Sequence, residues 1–400
     1  MTSAAWIVTA LALWWGPFLF LFRLWDRKPS IGDFGPVDGI PLSVIIPARN
    51  EARTIETVLE SVSRSTYQPL EIIVVDDRST DETAAIVAQH AARDDRIRLL
   101  HGKDLPAGGG WFGKPWACHQ GYAAASGDIL VFTDADTRHE PALLAHAVGA
   151  MVERSADLVT VAPHQVCLGF WERVIMPQVW AILGVKYHPR TINRGRSIRT
   201  VIANGQFILM PRRSYEAMGT HEAVRGAVAE DLALAQRTVE WGGSIYFAFA
   251  TKLMETRMYT NLPELIEGWS KNLYLGGRQA LRENPVLRLL FPLFFPIITA
   301  YWLLPPAALA VGLVTGGAPW LMASAIATAG SVLFWTAVAA GMRIPAFYGL
   351  LYPVGVVMLG YIAARSTVRG SRRVEWRGRT YGGGQRRAAE GGGGGKGSGR

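Results

Sequence analysis

From Leu42 onward the chain alternates short apolar runs with longer amphipathic ones. LSVIIPA reads as a strand, and the segment behind it repeats apolar residues at Ile55, Val58, Leu59 and Val62, the spacing of one helix face. Asn50 stands where such a helix would be capped. LEIIVVDD is the next strand, followed by a helix over 82–93 and a third strand, RIRLLHG. A glycine-rich loop, a helix reaching residue 125 and the buried run of ILVFTDADTRH come next. Short strands alternating with helices predict a mostly parallel sheet covered on both faces. In such sheets ligands gather at the carboxyl ends of the strands. Two acidic pairs, Asp76/Asp77 and Asp134/Asp136, fall at such ends.

Long apolar stretches flank this region. SAAWIVTALALWWGPFLFLF carries no charge over twenty residues, enough to cross a bilayer as a helix. A signal peptide is the competing reading, but no basic segment precedes the stretch and RLWDRK follows it. Residues 1–28 are therefore read as an anchor and 29–41, rich in Gly and Pro, as a linker. A catalytic domain is expected over 42–285, a membrane region over 286–365 and a basic tail over 366–400. The membrane region holds three apolar segments, 289–313, 318–340 and 345–364. Pro292, Pro296, Pro305 and Pro306 are expected to bend the first of them out of a simple crossing, since proline frees helix carbonyls. That bend would leave the tail on the same side as the 42–285 domain. The segment GFWERVIMPQVWAILGVKY reads either as an interfacial helix lining an acceptor entrance or as a buried core helix.

Charge changes the picture only once it is located. The net charge of +9 resides almost wholly in the tail, where ten Lys or Arg stand against two Glu from Arg365 to Arg400. A basic tail behind an apolar region reads as a cytoplasmic membrane flank, and no nucleic-acid partner is expected. Cys118 and Cys167 form no CxxC pair and no disulfide framework.

Two acids one residue apart are common in solvated loops, but Asp134 and Asp136 follow a buried strand. A hard cation such as Mg2+ or Mn2+ takes one or two carboxylates plus substrate phosphates. Asp76 and Asp77 could accept from a nucleobase N–H or ribose hydroxyls, with Pro47, Arg49 and Glu51 at the neighbouring strand end sharing the pocket. GGGWFGKP falls short of a phosphate-binding loop because Pro115 stands where Ser or Thr is needed. That excludes an ATPase and leaves Lys114 as a candidate to neutralise a diphosphate. Glu230 and Asp231 open a helix, where acids are ordinary dipole partners. Trp269 and Lys271, in EGWSKN, complete the donor-site candidates, with an interfacial segment as the plain alternative.

In order along the chain, VIIPARNEARTI, EIIVVDDRSTDET, GKPWACHQGYAAASGDILVFTDAD and VAEDLALAQRTVEWG resemble a membrane-bound family 2 glycosyltransferase of the GT-A fold. GKPWACHQG, EGWSKN and VEWRGRTY are similar to enzymes that glycosylate carotenoids and to those of hopanoid gene clusters. The resemblance implies an α/β, Rossmann-like nucleotide-diphospho-sugar transferase domain with N-terminal and C-terminal transmembrane helices, in the cell inner membrane with its catalytic domain cytoplasmic. It implies a UDP-sugar donor (UDP-glucose), a divalent metal and a membrane lipid acceptor. It assigns the nucleoside to Asp76 and Asp77, the metal and diphosphate to Asp134 and Asp136, and the base to Asp231. Processive synthases of this family carry Gln-x-x-Arg-Trp where this chain reads GWSKN, which points to transfer of a single sugar. A polyprenyl-phosphate sugar synthase and a catalytically inactive nucleotide-binding membrane protein are the alternatives.

Overall fold

Strand β1 (Leu42–Ala48) is buried at every position, as an apolar run must be when both faces of its sheet are covered. It pairs in parallel with β2 (Leu70–Asp76), and β2 pairs in parallel with β3 (Ile97–His101). On its other side β1 pairs in parallel with β4 (Ile129–Thr133). The computed structural model describes residues 3–17, 19–20, 28–195, 197–227, 229–316, 318–370, 374–376 and 379–381. They divide into two units. The first comprises Ser30–Pro163, Arg190–Thr256 and the described residues from Arg369 onward; the second comprises the residues before Ser30, His164–Pro189 and Arg257–Val368.

In the first unit three further strands extend the sheet beyond β4. They are β6 (Leu158–Ala162), β7 (Phe207–Pro211) and β8 (Ile245–Phe249), and the strand order is β3-β2-β1-β4-β7-β6-β8. β7 runs antiparallel to both β4 and β6. A small antiparallel pair joins β5 (Thr137–His139) to β9 (Met254–Thr256). Helix α1 (Ile55–Ser63) buries Ile55, Val58, Leu59 and Val62, the face that the spacing predicts. Helices α2 (Thr83–Ala91), α3 (Gly113–Ala124), α4 (Leu143–Arg154) and α5 (Glu230–Trp241) also belong to the unit. The stretch read as a linker is in part core: Ile31 and Phe34 are buried in the main apolar cluster, and Ser30 bridges to Phe249. Its glycines and prolines punctuate packed chain, so this unit begins at Ser30.

The second unit holds three helices long and apolar enough to cross a membrane, Pro285–Thr315, Trp320–Gly341 and Ala346–Arg369. The expectation that prolines break the first is wrong. Pro292, Pro296, Pro305 and Pro306 all lie inside one continuous helix of 31 residues. One reason is visible at Pro305. Lacking an N–H, it leaves the Tyr301 carbonyl one turn earlier without its helical donor, and the Trp14 indole N–H donates to that oxygen at 3.3 Å. Trp15 donates to the Ile326 carbonyl at 2.9 Å. A side chain at Gly330 would collide with this N-terminal segment, its Cβ 2.7 Å from the Trp15 ring. The described apolar helix at the N-terminus runs Ala5–Trp15, shorter than a full crossing; positions 18 and 21–27 of the expected anchor lie outside the described residues.

Residues 164–189 and 257–285, expected in the catalytic domain, belong to this second unit. The helix Phe170–Lys186 buries Val174, Ile175, Met176 and Val179, and Gly355 packs on the Val174 carbonyl and the Gln178 side chain. Its first half is therefore core. In the tail, Val374–Trp376 and Arg379–Tyr381 pair as an antiparallel hairpin; 382–400 lies outside the described residues.

Candidate active site

Register places the chemistry. Ala48 pairs with Asp76, so the carboxyl ends of β1 and β2 lie side by side, and β4 ends on the other flank of β1. Asp76 and Asp77 are buried, and the Asp76 carboxylate accepts the Ser79 N–H at 3.3 Å. Arg49 donates through Nη1 to the carbonyls of Asp77 and Arg78, the second at 3.0 Å, which bolts the two strand ends together. Pro47 is buried within β1, and Glu51 accepts the Thr54 hydroxyl at 3.0 Å. Asn50 does not cap α1; Thr54 stands at that position. With φ at 54° Asn50 turns the chain, receiving the Thr80 N–H on its side chain at 2.8 Å while its own N–H reaches the Ser79 hydroxyl at 2.9 Å. A short polar side chain tolerates that left-handed conformation, so a residue read as a cap is a loop clasp.

The second acidic pair is held from behind. Thr137 donates to the Asp134 carbonyl at 2.9 Å and Thr256 to the Asp136 carbonyl at 3.1 Å. In front, Lys114 in the first turn of α3 places its Nζ 2.7 Å from Asp134 Oδ1 and 2.7 Å from Glu230 Oε1. Burial draws the Lys114 pKa down, but the charges of Asp134, Glu230 and Asp231 outweigh it and hold the ammonium well above its ordinary value. One largely buried cation therefore faces three carboxylates.

Asp231 lies beside this cluster in the first turn of α5, and both its oxygens accept backbone N–H groups. Gly205 donates to Oδ2 at 3.0 Å and Leu232 to Oδ1 at 2.7 Å. Burial, followed by the Glu230 charge, raises the Asp231 carboxyl to about 6 against the pull of Lys114 and the two N–H donors. A base with a pKa near the working pH takes and returns protons efficiently. A side chain at Gly205 would displace the two charged groups, because its Cβ would lie 2.9 Å from Lys114 Nζ and 3.2 Å from Asp231 Oδ2. Burial pushes the thiol of Cys118, close by, well above its ordinary value, with the charges of Glu230 and Asp134 adding to the rise and Lys114 opposing it.

Of the residues predicted from sequence, Asp76, Asp77, Lys114, Asp134, Asp136 and Asp231 lie at one end of this unit. Sequence reasoning misses Glu230 as the partner of Lys114 and Gly205 as the donor to Asp231. Adjacency to Asp231 pointed to Glu230; nothing in the sequence marked Gly205. Trp269 and Lys271 lie on the helix Leu262–Ala280 of the second unit, where Trp269 is buried and donates its indole N–H to Met176 Sδ at 3.4 Å. Among the described residues no group of three or more His, Cys, Asp or Glu could hold a metal ion by itself. The Asp134/Asp136 pair nevertheless suits a hard cation, which completes its shell with substrate phosphates.

Residues 43–219 match the model of Glycosyl transferase family 2. Two curated relatives from Staphylococcus aureus, strains MRSA252 and USA300, are named 4,4'-diaponeurosporenoate glycosyltransferase; they are 29% and 28% identical over 243 residues, 59% of this chain. The match spans 61% of the length of those relatives. A solved mannosyltransferase from Pyrobaculum calidifontis, in complex with GDP-Man and Mn2+, superposes with a TM-score of 0.55 at 20% identity, covering 92% of this chain and 98% of that one. Residues 43–219 thus resemble glycosyl transferase family 2, and the sheet order, with the acids at its carboxyl ends, is that of a GT-A fold.

Proposed function

We propose that the protein is an inverting glycosyltransferase that moves one sugar from a UDP-sugar, UDP-glucose first among them, to the hydroxyl of a membrane lipid such as a carotenoid or hopanoid. The observation that carries this reading is the cluster at the strand ends, where Asp134, Glu230 and Asp231 gather around Lys114. Carboxylates at such a strand end suit a hard cation that completes its shell with substrate phosphates. Asp134 and Asp136 would hold a divalent metal, which supplies charge neutralisation at the diphosphate when bound. Asp76 and Asp77, with Pro47, Arg49 and Glu51, would bind the nucleoside, and Trp269 and Lys271 the donor. Asp231 takes the proton from the acceptor hydroxyl, whose oxygen attacks the anomeric carbon from the face opposite UDP. Lys114 offers positive charge to the departing diphosphate. The apolar helices of the second unit support a multi-pass membrane protein and a lipid acceptor, and the names of the curated relatives support a carotenoid-like one. With the nucleotide sugar drawn from the cytoplasm, the catalytic unit lies on that side.

Labelled UDP-glucose incubated with the full-length protein in membranes and a lipid extract tests this. The expected product is a glycolipid with the sugar of inverted configuration on a hydroxyl. Label on a polyprenyl phosphate would replace this reading with a polyprenyl-phosphate sugar synthase. No product from a panel of UDP- and GDP-sugars would point to a binding protein without transferase activity.

A further inference from the structure

Behind the Asp134-Ala135-Asp136 turn lies a polar network that the proposed chemistry does not use. His139, on β5, is 4% exposed, and its Nε2 lies 3.1 Å from the hydroxyls of both Thr133 and Thr137, each buried. Each threonine has one hydroxyl proton to give. Thr133 gives its proton to the Gln206 carbonyl at 2.8 Å, and Thr137 to the Asp134 carbonyl at 2.9 Å. Carbonyls only accept, so both hydroxyls face His139 as acceptors, and the ring carries its proton on Nε2, shared between them. Nδ1 is buried without a hydrogen-bond partner among the described residues, which leaves no acceptor for a second ring proton. Burial accordingly lowers the His139 pKa to about 3, so the ring is neutral throughout the working range. Its own backbone is tied down as well, with the His139 N–H donating to the Ser61 hydroxyl at 3.1 Å and Ser61 donating to Val58 O at 2.9 Å in α1.

We propose that His139 is a positioning residue, whose Nε2–H, acting through Thr133 and Thr137, fixes the Asp134/Asp136 turn in the orientation that binds the metal and diphosphate. The chain of contacts is continuous: ring N–H to Thr137 hydroxyl, hydroxyl to Asp134 carbonyl, with Thr256 holding the Asp136 carbonyl from β9. Without the ring N–H, the two hydroxyls lie 3.2 Å apart with their protons already given to carbonyls, and their lone pairs face each other. Relief comes if one hydroxyl rotates and releases its carbonyl. For Thr137 that carbonyl belongs to Asp134. The network thus resembles the outer contacts that orient ligands at metal sites, whose loss commonly weakens metal binding about 10- to 100-fold.

The inference rests on reading Asp134 and Asp136 as the metal pair, and the test separates the two. Mn2+ binding to the full-length protein with UDP present is followed by electron paramagnetic resonance, alongside thermal unfolding and donor kinetics at varied Mn2+. Three variants discriminate. His139→Gln keeps an N–H at the reach of Nε2, His139→Asn reaches only as far as Nδ1, and His139→Leu keeps bulk without a donor. The expected order of Mn2+ affinity is wild type close to Gln, with Asn and Leu weaker by about 10- to 100-fold. The Mn2+ needed for half-maximal rate should rise likewise, while turnover at saturating Mn2+ largely recovers. Thr137→Val, which removes a single hydroxyl, should weaken Mn2+ binding in the same way, and serves if the His139 variants do not fold. Wild-type Mn2+ affinity in Leu, Asn and Val variants alike, or Leu outperforming Gln, would overturn the positioning role while leaving the metal reading intact. If wild type itself binds no Mn2+ with UDP, the metal reading fails and this inference with it.

Discussion

Each unit buries an acid–base cluster, and the two clusters are built differently. In the membrane unit Glu172, 3% exposed, meets Arg257 in a two-pronged pair at 2.9 and 3.0 Å, with Glu264 acting on Arg257 only through its charge. In the catalytic unit Lys114 meets Asp134 and Glu230 at 2.7 Å each, with Asp231 close enough to affect its proton affinity. A bidentate pair commits both prongs of the guanidinium to one carboxylate, and breaking it strands a buried charge. A lysine shared between carboxylates of two elements holds those elements' ends together at the sheet edge where ligands gather. Buried charge is therefore a poor guide to function until its geometry is known: the bidentate pair is a fastening, and the shared cation marks the candidate site.

The sharpest way to break this contrast is to neutralise one member of each. Asp231→Asn should lower turnover by about 100-fold or more, the usual effect of losing a general base, while UDP still binds. Loss of UDP binding in calorimetry would make Asp231 a nucleotide ligand. Arg257→Met leaves Glu172 buried without its partner and should destabilise the membrane unit by about 3–5 kcal/mol, with most of that recovered in a Glu172→Met/Arg257→Met double variant. Unfolding of the single variant at the wild-type temperature would refute the fastening role.

Acid sharpens the contrast further. Asp231 must be ionised to take a proton, and its pKa is raised to about 6, so transfer should fall about tenfold per pH unit below that value and level off above it. The limb should disappear in Asp231→Asn, whose residual rate cannot titrate there. A wild-type rate flat from neutral pH down to that of an ordinary carboxylate would contradict the assignment. The smallest effect is expected at Trp14. Trp14→Phe removes the donor to the Tyr301 carbonyl ahead of Pro305 and should cost the membrane unit about 1 kcal/mol, read as a lower unfolding temperature with unchanged donor KM.

What the sequence revealed differs between the units for a physical reason. In the catalytic unit the signals are local. A buried strand ends, acids follow within two residues, and a parallel sheet collects those ends on one edge. Asp76 and Asp134 could be placed from such signals, whereas Asp231, in the first turn of a helix, was assigned only by the family resemblance. The distant partners were not legible: Lys114 was read as facing a diphosphate, and its observed partners come from the turn after β4 and from α5. In the membrane unit the misreading had the same origin. Prolines predict a broken helix because the carbonyls they free need donors, and for Tyr301 the donor is Trp14, 287 positions away. Asn50 and the Ile31/Phe34 stretch failed more locally, since Gly, Pro and Asn mark turns without saying whether the turn is packed.

The central claim is that the carboxylates at the strand ends form a metal-and-diphosphate site. Titration calorimetry of UDP into the purified full-length protein, with Mn2+ or with EDTA, tests it most directly, in wild type and in Asp134→Asn/Asp136→Asn. UDP should bind wild type in Mn2+ and lose that affinity in EDTA, and the double variant should bind no better with Mn2+ than without. Equal affinity for UDP in Mn2+ and EDTA, unchanged by the double substitution, would contradict the account.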